Sequence, residues 1–325
     1  MADGPLGLLN IMAFLSAAAI LFIAWQAWTA RPRVSGVEER LTTLPPGDLH
    51  PAYAGALASG RINDNQIEAA VLELIRNGAI ELEPDSDERS KVQVRILDPD
   101  RSSDPIEQCL LETLERRASS GLINYQSLTR LRNDWDTVRT VLRREMTGPG
   151  WINPSMVQTR LPFTLPGVLG VAFAAALMIA AVTYETGWPV LGALVVGLTG
   201  LLVLTAGSVV PQTTRDGERA AVPWRGFRSG LVQARDDAHG TLDLDLVFPY
   251  IVAMGMAASF DRYLRRASQS GYIPQWIGRR SRVQEWPEGW HTYWIALHTA
   301  LAPTDPINTT APAGSPWRRG ITGGR

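Results

Sequence analysis

The chain divides into long stretches without any charge and stretches whose apolar residues recur at helical or strand spacing. Two uncharged runs, Leu165–Tyr184 and Pro189–Val210, are separated only by Glu185, Thr186, Gly187 and Trp188. A helix that crosses a hydrocarbon core about 30 Å thick needs about 20 apolar residues, and both runs reach that length. So short a connector predicts an antiparallel hairpin of two spans, 161–184 and 188–210. A third uncharged run, Leu6–Trp28, holds only mildly polar residues such as Asn10, Ser16 and Gln26. It begins with Asp3 and no basic side chain, and it is longer than the apolar part of a cleaved leader. It therefore reads as a retained anchor, 6–28, behind a short external N-terminus, 1–5. The lipid bilayer is the first partner expected.

Between the spans the pattern turns amphipathic. Pro51–Ser59 predicts a short helix ended by Gly60. Asn65-x-x-Glu68 has the form of a capping box, and Ile67, Ala70, Val71, Leu74 and Ile75 then repeat at helical spacing up to Asn77-Gly78. Ile80 and Leu82, then Val92, Val94 and Ile96, alternate with polar residues around the turn Pro84–Ser90, as a two-stranded hairpin does. Helix, helix, hairpin is the order of a winged-helix unit. Asp104-Pro105-x-Glu107 supplies a capping Asp, a Pro at the first helical position and a reciprocal Glu. Ile106, Cys109, Leu110 and Leu114 form the apolar face that follows. Ile123 and Tyr125 suggest a short strand. Leu128, Leu131, Trp135, Val138 and Leu142 predict one long helix, stopped by Gly148-Pro149-Gly150.

Beyond the hairpin, Pro223-Trp224-Arg225-Gly226-Phe227 opens a helix with Phe227, Leu231 and Ala234 on its apolar face. A second helix is expected over Ile251–Arg266, and an aromatic end follows with Tyr272, Trp276, Trp286, Trp290 and Trp294. Such rings bury against a neighbouring helix or the bilayer interface. From Ala302 the chain loses periodicity and reads as a disordered tail, 301–325. The expected architecture is a mainly α membrane protein with three transmembrane helices. It carries a winged-helix-like α+β domain, 41–156, and a helical C-terminal domain, 215–300.

Charge sets the orientation. Arg31, Arg33 and Arg40 follow the first run, Arg160 precedes the second, and Arg215, Arg219 and Arg225 follow the third. The opposite ends carry only Asp3 and Glu185. All three runs agree on one topology under the positive-inside rule, with the N-terminus outside and both polar regions, Arg31–Arg160 and Pro211–Arg325, in the cytoplasm. Trp25, Trp28, Tyr184 and Trp188 stand at span ends, where amphipathic rings favour the interface. Small residues at four-residue spacing, Gly170/Ala174 and Ala193/Gly197, permit the hairpin helices to pack closely.

Composition then removes several kinds of function. The formal net charge is −1, so no global field favours nucleic acid. Between Asp48 and Asp98 there are ten acidic side chains against five basic ones, the wrong sign for phosphate neutralisation, and DNA is not expected as a partner. Arg130, Arg132, Arg139, Arg143 and Arg144 lie close in sequence to the second span, as a solvated helix face or as lipid-headgroup contacts. Lys91 is the only lysine, which reads as codon bias, and Cys109 is the only cysteine, so no intramolecular disulfide forms. Asp236, Asp237, Asp243 and Asp245 gather around His239, but without EF-hand spacing. His291 and His298 could share a helix face without an evident third ligand. There is no phosphate loop, dinucleotide fingerprint, H-E-x-x-H or G-x-S-x-G, and the spans lack ionisable groups. No catalytic, cofactor or metal residue is assigned, and no enzyme is expected.

Two blocks carry a resemblance. Leu44-Pro45-Pro46, then Pro51-Ala52-Tyr53-Ala54-Gly55-Ala56-Leu57, Gly60-Arg61-Ile62 and the helix to Gly78, form the first. Trp224-Arg225-Gly226-Phe227-Arg228-Ser229-Gly230-Leu231, with Phe248-Pro249-Tyr250-Ile251-Val252-Ala253-Met254-Gly255 downstream, form the second. Together they resemble the YciQ-type predicted membrane proteins (domain of unknown function 2207) over roughly Leu41 to Trp276. The resemblance implies the topology that the arginines give independently, and it implies no catalytic residues. Members typically carry an extracytoplasmic β-rich domain before the first span, which is not expected here. The expected role is scaffolding or assembly at the membrane through an unidentified protein partner or self-association. The alternative is a membrane-tethered transcriptional regulator. The two polar regions are expected to pack into one cytoplasmic body, with Trp135 as the anchor.

Overall fold

The structure is a computed structural model that describes residues 3–29, 39–84, 91–153, 156–183, 188–208, 212–236, 242–274 and 289–301. The connector residues Tyr184–Gly187, Arg31 and Arg33, Asp237 and His239, Trp276 and Trp286, and the tail from Ala302 lie outside the described residues. The described chain is mostly helical and divides into two compact units, one formed by Met1–Ser35 and Gly150–Glu218, the other by Gly36–Pro149 and Arg219–Arg325.

The first unit is built from α1 (Asp3–Thr29), α7 (Met156–Thr183) and α8 (Trp188–Ser208). Among the described residues, two helical stretches are long and apolar enough to cross a membrane: Phe163–Thr183, of mean hydropathy 2.3, and Val190–Gly207, of mean hydropathy 2.2. Only 28% and 33% of their most apolar windows are buried within the protein, so most of that surface needs another apolar medium. Leu169, Ile179, Val182, Leu198 and Leu202, for instance, all face outward. Close approach of α7 to α8 depends on small residues. A Cβ on Gly200 would stand 2.8 Å from the Gly167 carbonyl oxygen, and one on Gly197 would stand 3.2 Å from Ala174 Cβ. The expected Gly170/Ala174 and Ala193/Gly197 pairs thus lie in the contact, and the structure adds Gly167 and Gly200. Ala13, Ala17 and Ile20 of α1 bury in the same cluster as Phe163, Ala174 and Val196.

Past the hairpin the chain closes on itself. Ile152 and Thr213 form an antiparallel bridge, Asn153 N–H donates to the Gln212 carbonyl at 3.1 Å, and Thr214 N–H donates to the Trp151 carbonyl at 3.0 Å. The segment that leads into α7 and the segment that leaves α8 are therefore clasped side by side. Gly217 permits this, since a Cβ there would meet the Trp151 carbonyl oxygen at 2.0 Å.

The second unit takes both polar regions. Its first half is α2 (Pro51–Ser59), α3 (Asp64–Asn77), β1 (Ile80–Pro84), β2 (Val92–Ile96), α4 (Pro105–Glu115), β3 (Leu122–Ile123), α5 (Tyr125–Arg130) and α6 (Trp135–Thr147). The strands make an antiparallel sheet in the order β1-β2-β3, with Ile80 opposite Ile96 and Leu82 opposite Val94. Val94 also pairs with Ile123, and all of these apolar residues except the half-buried Ile96 point into the core. Its second half is α9 (Arg215–Asp236, shared with the first unit), α10 (Leu244–Ala253), α11 (Ala257–Gln269) and α12 (Trp290–Leu301).

Several local expectations shift. The capping box at α3 is Asn63 with Gln66, not Asn65 with Glu68. Asn63 is extended and its side chain accepts from Asn65 N–H, while Gln66 Oε1 accepts from Asn63 N–H at 2.5 Å. The helix expected over Leu128–Leu142 is interrupted by a 3-10 turn at Leu131–Asp134, and Tyr125 opens α5 under an Asn124 cap rather than ending a strand. The helix expected over Ile251–Arg266 breaks at Met254–Met256, because Gly255 adopts φ +69°, a left-handed conformation that ends a helix. The next helix starts at once with Ala257.

Packing between the halves follows from glycines inside the two sequence blocks. A Cβ on Gly55 would meet the Ala253 carbonyl oxygen at 2.4 Å, so α10 lies directly on α2. Gly226 and Gly230 of α9 face the backbone of Arg40 and Thr42 in the same way, at 2.4 and 2.2 Å to their carbonyl oxygens. Gln66 Nε2 donates to the Ala253 carbonyl at 2.9 Å and satisfies the end of α10. Trp135 is buried, but α6 packs on α2, α3 and α4, so the anchor between halves is α10 against α2 and α3.

Candidate functional site

The groove worth considering lies in the second unit, where the loop before α2 meets the C-terminal end of α3, the start of α4 and one face of α10. It encloses about 440 Å³. Its apolar wall is Leu44, Pro45, Leu49, Pro51 and Leu246, and its polar floor includes Glu73, Arg76, Glu107 and Tyr250.

His50 is positioned by its own backbone. Followed by Pro51 at the first helical position, it is the N-cap of α2. Its Nδ1 accepts from Ala52 N–H at 3.2 Å. An amide N–H only donates, so the ring hydrogen sits on Nε2 and is directed at Glu107 Oε1, 3.2 Å away. Glu107 is almost fully buried yet richly supplied. Ser102 Oγ donates to its Oε2 at 2.7 Å, and Asn77 Nδ2 donates to Oε1 at 3.2 Å. Burial alone would raise its affinity for a proton, but the hydrogen bonds from His50, Ser102 and Asn77 outweigh it and hold Glu107 below the usual carboxylate range. The reciprocal capping bond expected of Glu107 is therefore replaced by this set, while Asp104 caps α4 as expected, accepting from Ile106 N–H at 2.9 Å.

Glu73 is the opposite case. It is 1% exposed; Oε2 accepts from Arg76 Nη2 at 2.7 Å, and Oε1 has no hydrogen-bond partner. Burial pushes this carboxyl above the usual range, Arg76 and His50 pulling back only in part. Opposite it, the Tyr250 hydroxyl donates to the Leu49 carbonyl at 2.9 Å and is raised to about 12, chiefly by burial and then by the Glu73 charge. The Tyr250 ring is fixed by stacking on Trp224 at 5.7 Å and by the edge of Phe227 at 5.6 Å.

The residues singled out from sequence fall elsewhere. Asp236 pairs with Arg235, Asp243 caps α10 by accepting from Asp245 N–H, and Asp245 accepts from the Tyr272 hydroxyl at 3.0 Å. Among the described residues no group of three His, Cys, Asp or Glu side chains could hold a metal ion. His291 and His298 do sit on one helix, α12, but each answers a different acid. His291 Nε2 lies 2.9 Å from Asp261, and His298 Nδ1 lies 2.6 Å from the buried Glu68. Burial alone would lower His298, but the Glu68 charge and hydrogen bond prevail and raise it. Of the basic stripe, Arg139 pairs with Asp64 and Asp136, Arg143 is half-buried, and Arg130 and Arg144 face solvent. Sequence reading missed His50 and Ser102 altogether, and took Asn77 only as the end of a helix. His50 before Pro51 at a helix start was a visible signal for a cap, but nothing local announced its partner.

An apolar helical hairpin and a compact unit carrying a polar groove, joined in one chain, define the class: a membrane protein with a substantial polar body. Residues 38–264 match the family model described as predicted membrane protein (DUF2207) C-terminal domain, and the chain belongs to that family. Neither a search of curated proteins nor one of solved structures gives a match.

Proposed function

We propose that the protein is an interaction or assembly protein of the bacterial inner membrane, with three spans, an external N-terminus and both polar regions folded as one cytoplasmic body. The observation that carries this reading is the clasp at Ile152–Thr213 together with the single unit formed by residues 36–149 and 219–325. A chain that leaves a body, makes a hairpin through lipid and rejoins the same body must have both ends of the hairpin on one side. The arginines beside the spans favour the cytoplasmic side. The helix α1, with its apolar side chains turned outward and its small residues on the hairpin, fits a third span. The helix–helix–hairpin order of α2, α3, β1 and β2 supports a winged-helix-like unit adapted to packing. The residues Gln66 to Ile75 of α3 are all buried, so no face of that helix is left to enter a DNA groove. That burial favours interaction over gene regulation as the role.

Topology is tested by cysteine labelling in a Cys109→Ser background. A cysteine introduced at Thr186 should react with an impermeant maleimide in intact cells, and one at Ser86 only after permeabilisation; the reverse pattern contradicts the reading. The assembly role is tested by cross-linking at native expression levels followed by purification in mild detergent. A complex heavier than one chain is expected, and a chain recovered only as a monomer contradicts it.

A further inference from the structure

Glu73 is hard to explain as a purely structural residue. A buried carboxylate oxygen without a hydrogen bond destabilises the fold, and replacing it with an apolar group would remove that cost. The ion pair with Arg76 accounts for Oε2 and leaves Oε1 without a donor. It belongs to the polar floor of the groove, and the groove is unbalanced. Asp48, Glu73, Asp104 and Glu107 line it with one guanidinium, Arg76, while His50 directs its single ring hydrogen at Glu107. Glu107 and Asp104 are already supplied with donors, whereas Glu73 Oε1 is not. What is missing is one donor, preferably charged. The surrounding surface of Leu44, Leu49, Leu246 and the Tyr250 ring suits a short aliphatic stem behind it.

We propose that this groove is a binding site for a small alkylammonium ion, its ammonium donating to Glu73 Oε1 and its stem lying against Leu44, Leu49 and Leu246. The site goes beyond the assembly role and does not depend on it. Arg76 and the ligand then share the Glu73 carboxylate, one on each oxygen. A group of this kind reaches the protein either as a free amine or as the headgroup of an aminophospholipid, and the two present the same ammonium.

The test uses the full-length protein in detergent, with butylammonium and putrescine as probes and 1-butanol as the neutral control, followed by titration calorimetry. One saturable site per chain is expected for both ammonium probes and none for 1-butanol. Glu73→Gln should weaken binding about 10- to 100-fold, the size of a charge-assisted hydrogen bond, while its unfolding temperature is unchanged or higher. Absence of saturable binding to the wild-type chain overturns the proposal without reference to any variant. So does equal binding of 1-butanol, or unchanged affinity in folded Glu73→Gln. Repeating the putrescine titration in nanodiscs assigns the source: competition in phosphatidylethanolamine discs but not in phosphatidylglycerol discs means a lipid headgroup, and equal affinity in both means a free amine.

Discussion

Glu73 and Glu107 sit in one groove and are pushed in opposite directions, which shows how far the surroundings of a carboxylate, rather than burial alone, decide its state. Glu107 is held below the usual range by donors from His50, Ser102 and Asn77. Its ionised form therefore stabilises the fold above the ordinary carboxylate range, and that contribution is lost as the pH falls through its lowered value. Glu107→Gln puts an amide N–H₂ among those donors and should cost about 1–3 kcal/mol at neutral pH. Thermal unfolding at several pH values should show the gap to the wild type closing on acidification; a gap independent of pH would mean that Glu107 acts through shape alone. His298 has the opposite sign. Because Glu68 raises it, its bond is fully present below the ordinary histidine value and weakens as the pH rises through the raised one. His298→Gln should therefore destabilise the protein more at pH 6 than at pH 9, checked by the same melts.

At the scale of elements, what was legible in the sequence is what a short stretch of chain determines by itself. Lipid demands uninterrupted apolarity, so the hairpin helices could be read directly, and local caps such as Asp104-Pro105 could be read from their chemistry. The small residues of α7 and α8 were legible for the same reason, although the contact also draws in Gly167 and Gly200. Gly200→Leu should separate the helices, costing about 1–3 kcal/mol by overpacking, while Leu198→Ala, on the outward face, should change little. Unfolding by dodecyl sulfate in mixed micelles measures both, and equal effects would place the contact elsewhere. The break after Ala253 was not legible, since Gly255 inside an apolar run gives no local sign of its positive φ. Nor was the groove, where His50 and Glu107 are 57 residues apart, or the separate Glu68–His298 pair, 230 residues apart. The ten acids between Asp48 and Asp98 were weighed as one acidic surface, whereas two of them, Glu68 and Glu73, are buried. No periodicity predicts a partner that tertiary packing alone brings near.

For the whole molecule, the blocks that carried the family resemblance are the ones that meet. Gly55 of the first lies on Ala253 of the second, Gln66 ties off the same carbonyl, and Gly226 and Gly230 admit the chain at Arg40–Thr42. The motif is thus the interior seam of one body, assembled from chain on both sides of the membrane hairpin, and that seam is the central claim. Gly55→Val tests it most directly, because a side chain there collides with the Ala253 backbone. Hydrogen exchange on the detergent-solubilised full-length protein should show protection falling in α2 and α3 and, together with them, in α10 and the Trp224–Leu231 part of α9. Loss confined to residues 51–77, with 224–231 and 244–253 exchanging as in the wild type, would show that the two polar regions fold independently and would contradict the account.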